Sequence, residues 1–190
     1  MRVPGSDLLD TLEWMRLRLP HAIDAYDARL LSPEAPPELA RAASVLAPWS
    51  LGHLVLYDAE LPVVANNFGY GFLDSIRFFL AESEEEALTI ARARRSRWVL
   101  ATDLVPRMND YAEYLGRPPY LLPTGQGLAP GPAYFSTLQS RLYDFDGAGA
   151  EAADARIEPL AHFRLVYRSR SAIQRGGRWV ARWKVFEILD

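Results

Sequence analysis

The sequence predicts an α/β domain in which helices flank a central, mostly parallel or mixed sheet, with a C-terminal β-hairpin. Between residues 45 and 103, short apolar runs alternate with helical patterns, as in proteins with parallel strands. Near the end of the chain, apolar residues recur at every second position beside a Gly-Gly pair. Because 49% of the 190 residues are hydrophobic, we expect residues 1–190 to form a single domain around one core.

The first two elements are a helix and a loop. Ser6 or Asp7 can cap the helix, which is expected to end near Pro20. Its apolar residues recur at helical spacing, at Leu8, Leu12 and Met15. Three prolines then predict a loop over residues 31–38.

A strand, a helix and a second strand follow. Residues 45–47 form a short buried strand, Ser50 can cap a helix over 51–59, and residues 62–65 form the next strand. The turn after it contains residues that tolerate left-handed backbone, namely Asn66, Asn67 and Gly69. The core face of the following helix is predicted to consist of Phe72, Leu73, Ile76, Phe79 and Leu80.

The middle of the chain contains one more helix and one more strand. Ser83 and Glu86 have the spacing of a capping box, which predicts a helix N-terminus. Residues 98–102 then form a strand, and Asp103 lies at its carboxyl end. The succession of elements from residue 45 to Asp103 therefore favours parallel strands.

The last third of the chain begins with five prolines and three glycines in residues 117–133, which predict an irregular loop. A helix is expected over 134–143. Residues 163–169 alternate as a strand, and Gly176-Gly177 separates it from a second strand over 179–189. We therefore expect residues 160–190 to be a β-hairpin that extends the sheet.

Charge excludes some partners and leaves others open. A net charge of −3 and a pI near 5.7 argue against nucleic acid. Residues 160–190 carry seven cations and two acids, a balance of +5. Such a segment can meet phosphates or anionic headgroups, or it can be a solvated, arginine-rich hairpin. The chain has no cysteine, and His21, His53 and His162 do not have metal-ligand spacing.

Membrane and export signals are also missing from the sequence. No apolar run approaches the ~18–20 residues that span a bilayer, and residues 1–6 do not begin a signal peptide. A location outside the cytoplasm would therefore require an upstream segment. If the native gene began at Met1 without membrane segments, the chain would instead be a free-standing α/β ligand-binding module.

Several motifs resemble the soluble domain of oligosaccharyltransferase catalytic subunits. The strand at 45–47, the Trp-Ser-x-Gly turn at 49–52 and the Asn-Asn turn at 66–67 resemble the region around their WWDYG motif. The helix at 12–20 resembles their "WLR…TP" segment. The last two strands, with Phe-Arg-Leu-Val-Tyr-Arg-Ser and Lys-Val-Phe-Glu-Ile, resemble "LVYES…VKVFE".

The resemblance implies part of a bacterial membrane glycosyltransferase that moves a glycan from a polyprenyl-linked donor to a protein acceptor. Its partners would be its own transmembrane domain, absent here, the donor, and an acceptor polypeptide or glycan. It would lie on the extracytoplasmic (periplasmic) face of the membrane. The resemblance implies no cofactor in this chain, because the divalent metal, Mn or Mg, and the catalytic carboxylates are expected in the missing membrane part. We therefore expect the isolated chain to be inactive.

In the family, the two tryptophans and the aspartate of WWDYG bind the acceptor's Ser or Thr hydroxyl. Trp49 matches the second tryptophan and Gly52 the glycine, whereas Ser50 replaces the aspartate. The resemblance thus implies an acceptor site of Trp49, Ser50 and Gly52, to which we add the adjacent His53. Trp49 and His53 can equally be packed structural residues. The missing aspartate makes a lipid or glycan acceptor the alternative to a peptide.

Three more residues are candidates for the same site. Asn66 and Asn67 can hold a ligand or merely form the turn. Asp103 begins a segment that resembles the family's second motif, Asp-x-x-Lys, although Pro106 stands where the lysine would be. Asp103 is either a carboxylate at the ligand-binding edge of the sheet or a helix cap.

Overall fold

The computed structural model describes residues 6–19, 44–152 and 155–189. Its α-helices are α1 (Ser6–Arg18), α2 (Gly52–Asp58), α3 (Phe72–Phe79), α4 (Glu84–Ala93), α5 (Met108–Tyr114), α6 (Pro132–Ser136) and α7 (Leu138–Tyr143). Its strands are β1 (Ser44–Leu46), β2 (Ser96–Thr102), β3 (Leu121–Thr124), β4 (Gly127–Pro130), β5 (Ala150–Ala152), β6 (Ala155–Ile157), β7 (Phe163–Arg168), β8 (Ala172–Arg175), β9 (Arg178–Ala181) and β10 (Trp183–Ile188). Two 3-10 helices, Trp49–Leu51 and Val105–Arg107, follow β1 and β2.

The central sheet has four strands in the order β1-β2-β10-β7. β1 and β2 are parallel, whereas β10 is antiparallel to both of its neighbours. The prediction of a mixed sheet is therefore confirmed. Because β1 and β2 run in the same direction, the segments that follow them begin at the same edge of the sheet.

Helices cover both faces of this sheet. Side chains alternate along a strand, so β2 directs Trp98 and Leu100 to one face and Val99 and Ala101 to the other. The first face packs against α1 and α2, and the second against α3, α4, α5 and α7. The prediction of a sheet flanked by helices is therefore also confirmed.

The predicted loop over residues 117–133 contains a β-hairpin instead. β3 pairs with β4 from Leu121↔Pro130 to Thr124↔Gly127, and Gly125 and Gln126 form the turn. The prolines suggested irregular structure because proline cannot donate to a ladder. A two-stranded ribbon consists only of edges, however, and edges tolerate proline.

Three predictions for residues 50–73 are wrong. The strand predicted over 62–65 is reduced to one parallel bridge between Val63 and Val45. Ser50 is not a helix cap, because it lies inside the 3-10 turn Trp49–Leu51, which has no side-chain cap. Leu73, assigned to the core face of α3, is 46% exposed.

The helix predicted over 134–143 is divided at Thr137, which has extended backbone (φ −67°, ψ 147°). The Oγ1 atom of Thr137 accepts a hydrogen bond from the Ser140 amide at 3.2 Å, so α7 begins with its own cap. The capping residue of α4 was predicted correctly, because Ser83 Oγ accepts from the Glu86 amide at 3.1 Å.

The C-terminal segment contains a hairpin, as predicted, but the segment as a whole has four strands, β7 to β10, rather than two. β8 pairs with β9 across the Gly176-Gly177 turn, where both glycines have positive φ. β7 and β10 are the sheet strands, so the strand predicted over 179–189 is really two, β9 and β10.

The short β5–β6 hairpin was not predicted. The loop predicted over 31–38 lies outside the described residues.

Candidate functional site

A cavity of about 1040 Å³ opens where β1 and β2 end. The 3-10 helices after the two strands form its floor, and α5 forms one side. Because the two strands are parallel and adjacent, residues distant in sequence meet here, as at the ligand-binding edge of other α/β sheets. The candidate residues that line the cavity are Trp49, Ser50 and Asp103.

One wall of the cavity is aromatic. The Phe72 ring stands edge-on between Trp49 and Tyr114, with centroid distances of 5.4 and 5.2 Å. Tyr111 is buried beside them, and burial raises its pKa above the ordinary 10.0 although a hydrogen bond with Trp49 opposes the shift. Its hydroxyl therefore stays protonated at neutral pH. Such a wall suits the apolar face of a peptide side chain or a sugar ring.

Asp103 adds a carboxylate to the cavity lining. Its Oδ1 atom accepts a hydrogen bond from the Val105 amide at 2.9 Å, which stabilises the turn into the second 3-10 helix. Its Oδ2 atom accepts from the Arg175 guanidinium. Asp103 therefore lies at the sheet edge and stabilises a turn, but it is not the helix cap, because Leu104 occupies that position. A ligand role for Asp103 stays a prediction.

The remaining charges around the cavity are mostly negative. Asp110 and Glu113 line the cavity from α5, and Arg107 lines it from the end of the second 3-10 helix. Arg107 forms an exposed ion pair with Asp110 at 3.3 Å. With Asp103, the lining thus carries three carboxylates and one guanidinium. This balance favours a ligand that donates hydrogen bonds.

Gly52 is not part of the cavity lining and has a packing role. A Cβ atom at this position would be 1.9 Å from the carbonyl oxygen of Ala65, closer than any contact that real Cβ atoms make. Glycine is therefore required for the start of α2 to approach residues 65 and 66. The acceptor-binding role predicted for Gly52 stays a prediction, and it could only be indirect.

His53, Asn66 and Asn67 are brought together, but outside the cavity lining. The Nδ1 atom of His53 accepts a hydrogen bond from the Asn67 amide at 3.4 Å, and Asn66 Oδ1 accepts from the Phe68 amide at 2.9 Å. The His53 ring also packs against the Phe68 ring, with 4.9 Å between the ring centroids. These are the contacts of turn-forming residues. A ligand role for these three residues stays a prediction.

Sequence reasoning missed most of the cavity's walls. Phe72 was assigned to a helix core, and Tyr111, Tyr114 and Trp183 were not considered. The spacing of Tyr111 and Tyr114 on α5 was a usable signal, because residues three apart share a helix face. Arg175 gave no signal, because its partner Asp103 is 72 residues away in sequence.

The basic C-terminal segment proves to be well paired. Arg164 pairs with Glu187, Arg168 with Asp146 at 2.8 Å, and Lys184 with Asp146 at 2.5 Å. Arg175 pairs with Asp103 and Asp144. Three acids outside the segment, Asp103, Asp144 and Asp146, therefore offset part of its positive charge, which favours the structural interpretation over binding of phosphates.

Comparison with known proteins identifies the family. A model of the AglB core domain matches residues 5–106, which is more than half of the 190 residues. The chain belongs to the AglB core family. The matched range includes Trp49, Ser50 and Asp103 but ends before α5, which supplies the other side of the cavity.

Relatives in this AglB family come from Archaeoglobus fulgidus. Dolichyl-phosphooligosaccharide-protein glycotransferase 1 is 38% identical over 98 residues, which cover 52% of this chain and 15% of that protein. This chain therefore spans only a small part of the relative's length. Because the relative is archaeal, the expected bacterial source stays a prediction.

Solved structures share the fold over nearly the whole chain. The C-terminal globular domain of an A. fulgidus oligosaccharyltransferase has a TM-score of 0.64 at 24% identity, with 99% of both chains covered. AglB from A. fulgidus, solved with an inhibitory peptide and a dolichol-phosphate, has a TM-score of 0.66 at 22% identity and covers 87% of this chain and 23% of that one. The chain thus has the fold of these globular domains, in agreement with its match to the AglB core family.

Residues 6–19, 44–152 and 155–189 contain neither a metal-holding cluster nor a helix that could span a membrane. No three His, Asp or Glu side chains there are placed to hold one metal ion, and the divalent metal expected in the membrane part stays a prediction. Over the same residues, every helix is too short or too polar to cross a bilayer.

Proposed function

We propose that this domain forms the acceptor side of the cleft in an oligosaccharyltransferase-like membrane glycosyltransferase. The whole enzyme transfers a glycan from a polyprenyl-linked donor to a protein acceptor on the extracytoplasmic (periplasmic) side. The observation that carries the proposal is the cavity, because Trp49, Ser50 and Asp103 converge there within the segment that matches the AglB core.

The chemistry of the cavity suits the hydroxyl of an acceptor Ser or Thr. A hydroxyl donates one hydrogen bond and can accept two. The Asp103 carboxylate accepts from it, the Ser50 hydroxyl donates to it, and the wall around Trp49 contacts the adjoining carbon atoms. A site that pairs with a hydroxyl discriminates against an acceptor that lacks one, because its own polar groups would be left unpaired.

Partners follow from the same proposal. The AglB relative solved with an inhibitory peptide and a dolichol-phosphate supports a polypeptide acceptor and a polyprenyl-phosphate donor for this chain. The divalent metal and the catalytic carboxylates belong to the transmembrane part of the enzyme. This domain supplies acceptor binding and orientation, and we assign no transfer chemistry to its residues.

Peptide titration tests this function. We expect an Asn-x-Thr peptide to bind the chain more tightly than the matched Asn-x-Ala peptide, with a change in tryptophan fluorescence that is lost in Trp49→Phe. The Trp179→Phe variant is the control, because Trp179 lies outside the cavity lining and is exposed. Equal binding of the two peptides, or none, would eliminate hydroxyl recognition.

A lipid or glycan acceptor is the second candidate. It is favoured by Ser50 at the position of the motif aspartate, and by a cavity lining that combines aromatic rings with the carboxylates of Asp103, Asp110 and Glu113. Sugar hydroxyls donate to carboxylates while the sugar ring packs on aromatic faces. A soluble oligosaccharide that changes the tryptophan fluorescence, where an Asn-x-Thr peptide does not, would support this alternative.

A further inference from the structure

Arg175 connects the C-terminal hairpin to the cavity. It is the last residue of β8, directly before the Gly176-Gly177 turn, and it does not line the cavity itself. Its side chain is 21% exposed and points back to the end of β2, where the guanidinium pairs with Asp103. A residue of the hairpin thereby contacts a residue of the acceptor cleft.

The guanidinium of Arg175 is held from several directions. Its Nη1 atom lies 3.4 Å from Asp144 Oδ1, and the Tyr134 hydroxyl donates to Asp144 Oδ2 at 2.6 Å. Its central carbon lies 5.6 Å from the centroid of the Tyr143 ring, a cation–π distance. Arg175 is therefore a rigid support rather than a mobile surface cation.

Asp103 receives its orientation from two contacts of different origin. The Val105 amide binds Oδ1 and lies on the same short turn, whereas the Arg175 guanidinium binds Oδ2 and comes from the hairpin. Without the second contact, the carboxylate could rotate about its side-chain bonds. Charge-assisted hydrogen bonds of this kind fix geometry as well as charge.

We infer that Arg175 is a positioning residue for the cleft: it fixes the Asp103 carboxylate in the orientation that meets the acceptor's hydroxyl. The inference rests on the proposed function, because it concerns the same cavity. The competing view is that Arg175 merely compensates the buried Asp144 carboxylate, in which case its replacement would affect folding but not Asp103.

Hydrogen exchange distinguishes these views without any acceptor. In Arg175→Gln we expect the Val105 amide to exchange faster, because its partner carboxylate is no longer held, while the Val99 and Leu100 amides in the sheet remain protected. Arg175→Lys, which keeps the charge without the planar fork, should give an intermediate rate. The exposed Arg182→Gln is the control with the same loss of charge.

Peptide binding then tests the consequence for the cleft. With an Asn-x-Thr peptide, Arg175→Gln should weaken binding roughly tenfold, as expected for directly coupled groups. In an Asp103→Asn background, the same change should have no further effect, because Arg175 acts through Asp103. Additive effects of the two substitutions would overturn the inference.

The two proposals can fail separately. If the wild-type chain binds no acceptor peptide, the proposed function fails, but the exchange rate of Val105 still reports on Asp103. If the Val105 amide exchanges at the wild-type rate in Arg175→Gln, the positioning role is refuted whatever the peptide does. Should Arg175→Gln not fold, the folded Arg175→Lys variant carries the same comparison.

Discussion

At the residue scale, the family match and the physical role of a residue can point in different directions. Gly52 matches the glycine of the acceptor motif, yet its immediate role is to let α2 approach the segment after Leu61. Trp49, Ser50 and Asp103 reach the cavity, whereas His53, Asn66 and Asn67 stabilise the neighbouring turn. Sequence alone could not separate these groups, because asparagine and histidine serve both purposes.

Replacement of Gly52 tests this packing role. We expect Gly52→Ala to lower the free energy of unfolding by about 1–3 kcal/mol, because the new methyl group would overlap the Ala65 carbonyl oxygen and the backbone must shift. Urea denaturation measures the change. Gly125→Ala is the matched control, since a Cβ atom at Gly125 meets nothing within 4 Å. Equal stability of the two variants would contradict the close approach.

At the element scale, features set by neighbouring residues were predictable and features set by distant ones were not. The cap of α4 depends on Ser83 and Glu86, three residues apart, and it was found correctly. The break at Thr137 was missed, because both sides of it have helical patterns. The strand over 62–65 was overestimated, since apolar composition cannot reveal that only Val63 has a partner.

Glu187 shows how a single carboxylate joins three strands. It lies on β10 and accepts from Arg97 on β2, at 2.9 Å, and from Arg164 on β7. Burial alone would raise the pKa of this carboxyl, but the two arginines outweigh burial and lower it below the ordinary 4.5. A lowered pKa in the folded state means that the ion pairs stabilise the fold when the carboxyl is charged.

The pH dependence of stability tests this arrangement. Above pH 4.5 the wild type should be more stable than Glu187→Gln, and the difference should shrink as the pH falls below 4.5 through the folded-state pKa. Urea denaturation at neutral and at acidic pH measures it. Glu85→Gln is the control, because the Glu85–Arg92 pair is exposed and 3.8 Å long. A difference that did not depend on pH would rule out the ionic contribution.

At the scale of the whole molecule, the fold class was predictable because it depends on the order of elements rather than on their boundaries. The parallel pair β1 and β2 follows from the pattern between residues 45 and 103, even though the second predicted strand there is only a bridge. The antiparallel strands β7 and β10 follow from the alternating residues near the C-terminus. The cavity was predictable only in part, since its floor follows β1 and β2 while its wall comes from α5 and β10.

The division of labour in the proposed enzyme gives a prediction for the isolated chain. We expect no glycopeptide when the purified chain, a polyprenyl-linked donor, Mn²⁺ and an Asn-x-Thr peptide are incubated together, because the catalytic carboxylates are assigned to the transmembrane part. Mass spectrometry of the peptide is the measurement, with a full-length AglB relative as the positive control. Measurable glycan transfer by the chain alone would refute this assignment.

The position of β10 in the sheet has a consequence for synthesis of the chain. Residues 183–188 are made after β2 and β7, yet their strand lies between these two strands and joins them. Until these residues leave the ribosome, the facing edges of β2 and β7 have no partner, and exposed strand edges invite aggregation. The sheet therefore closes only once β10 has been made, and folding must wait for pairing between residues more than 80 positions apart. Chains that stall before Trp183 should accordingly depend on chaperones to remain soluble.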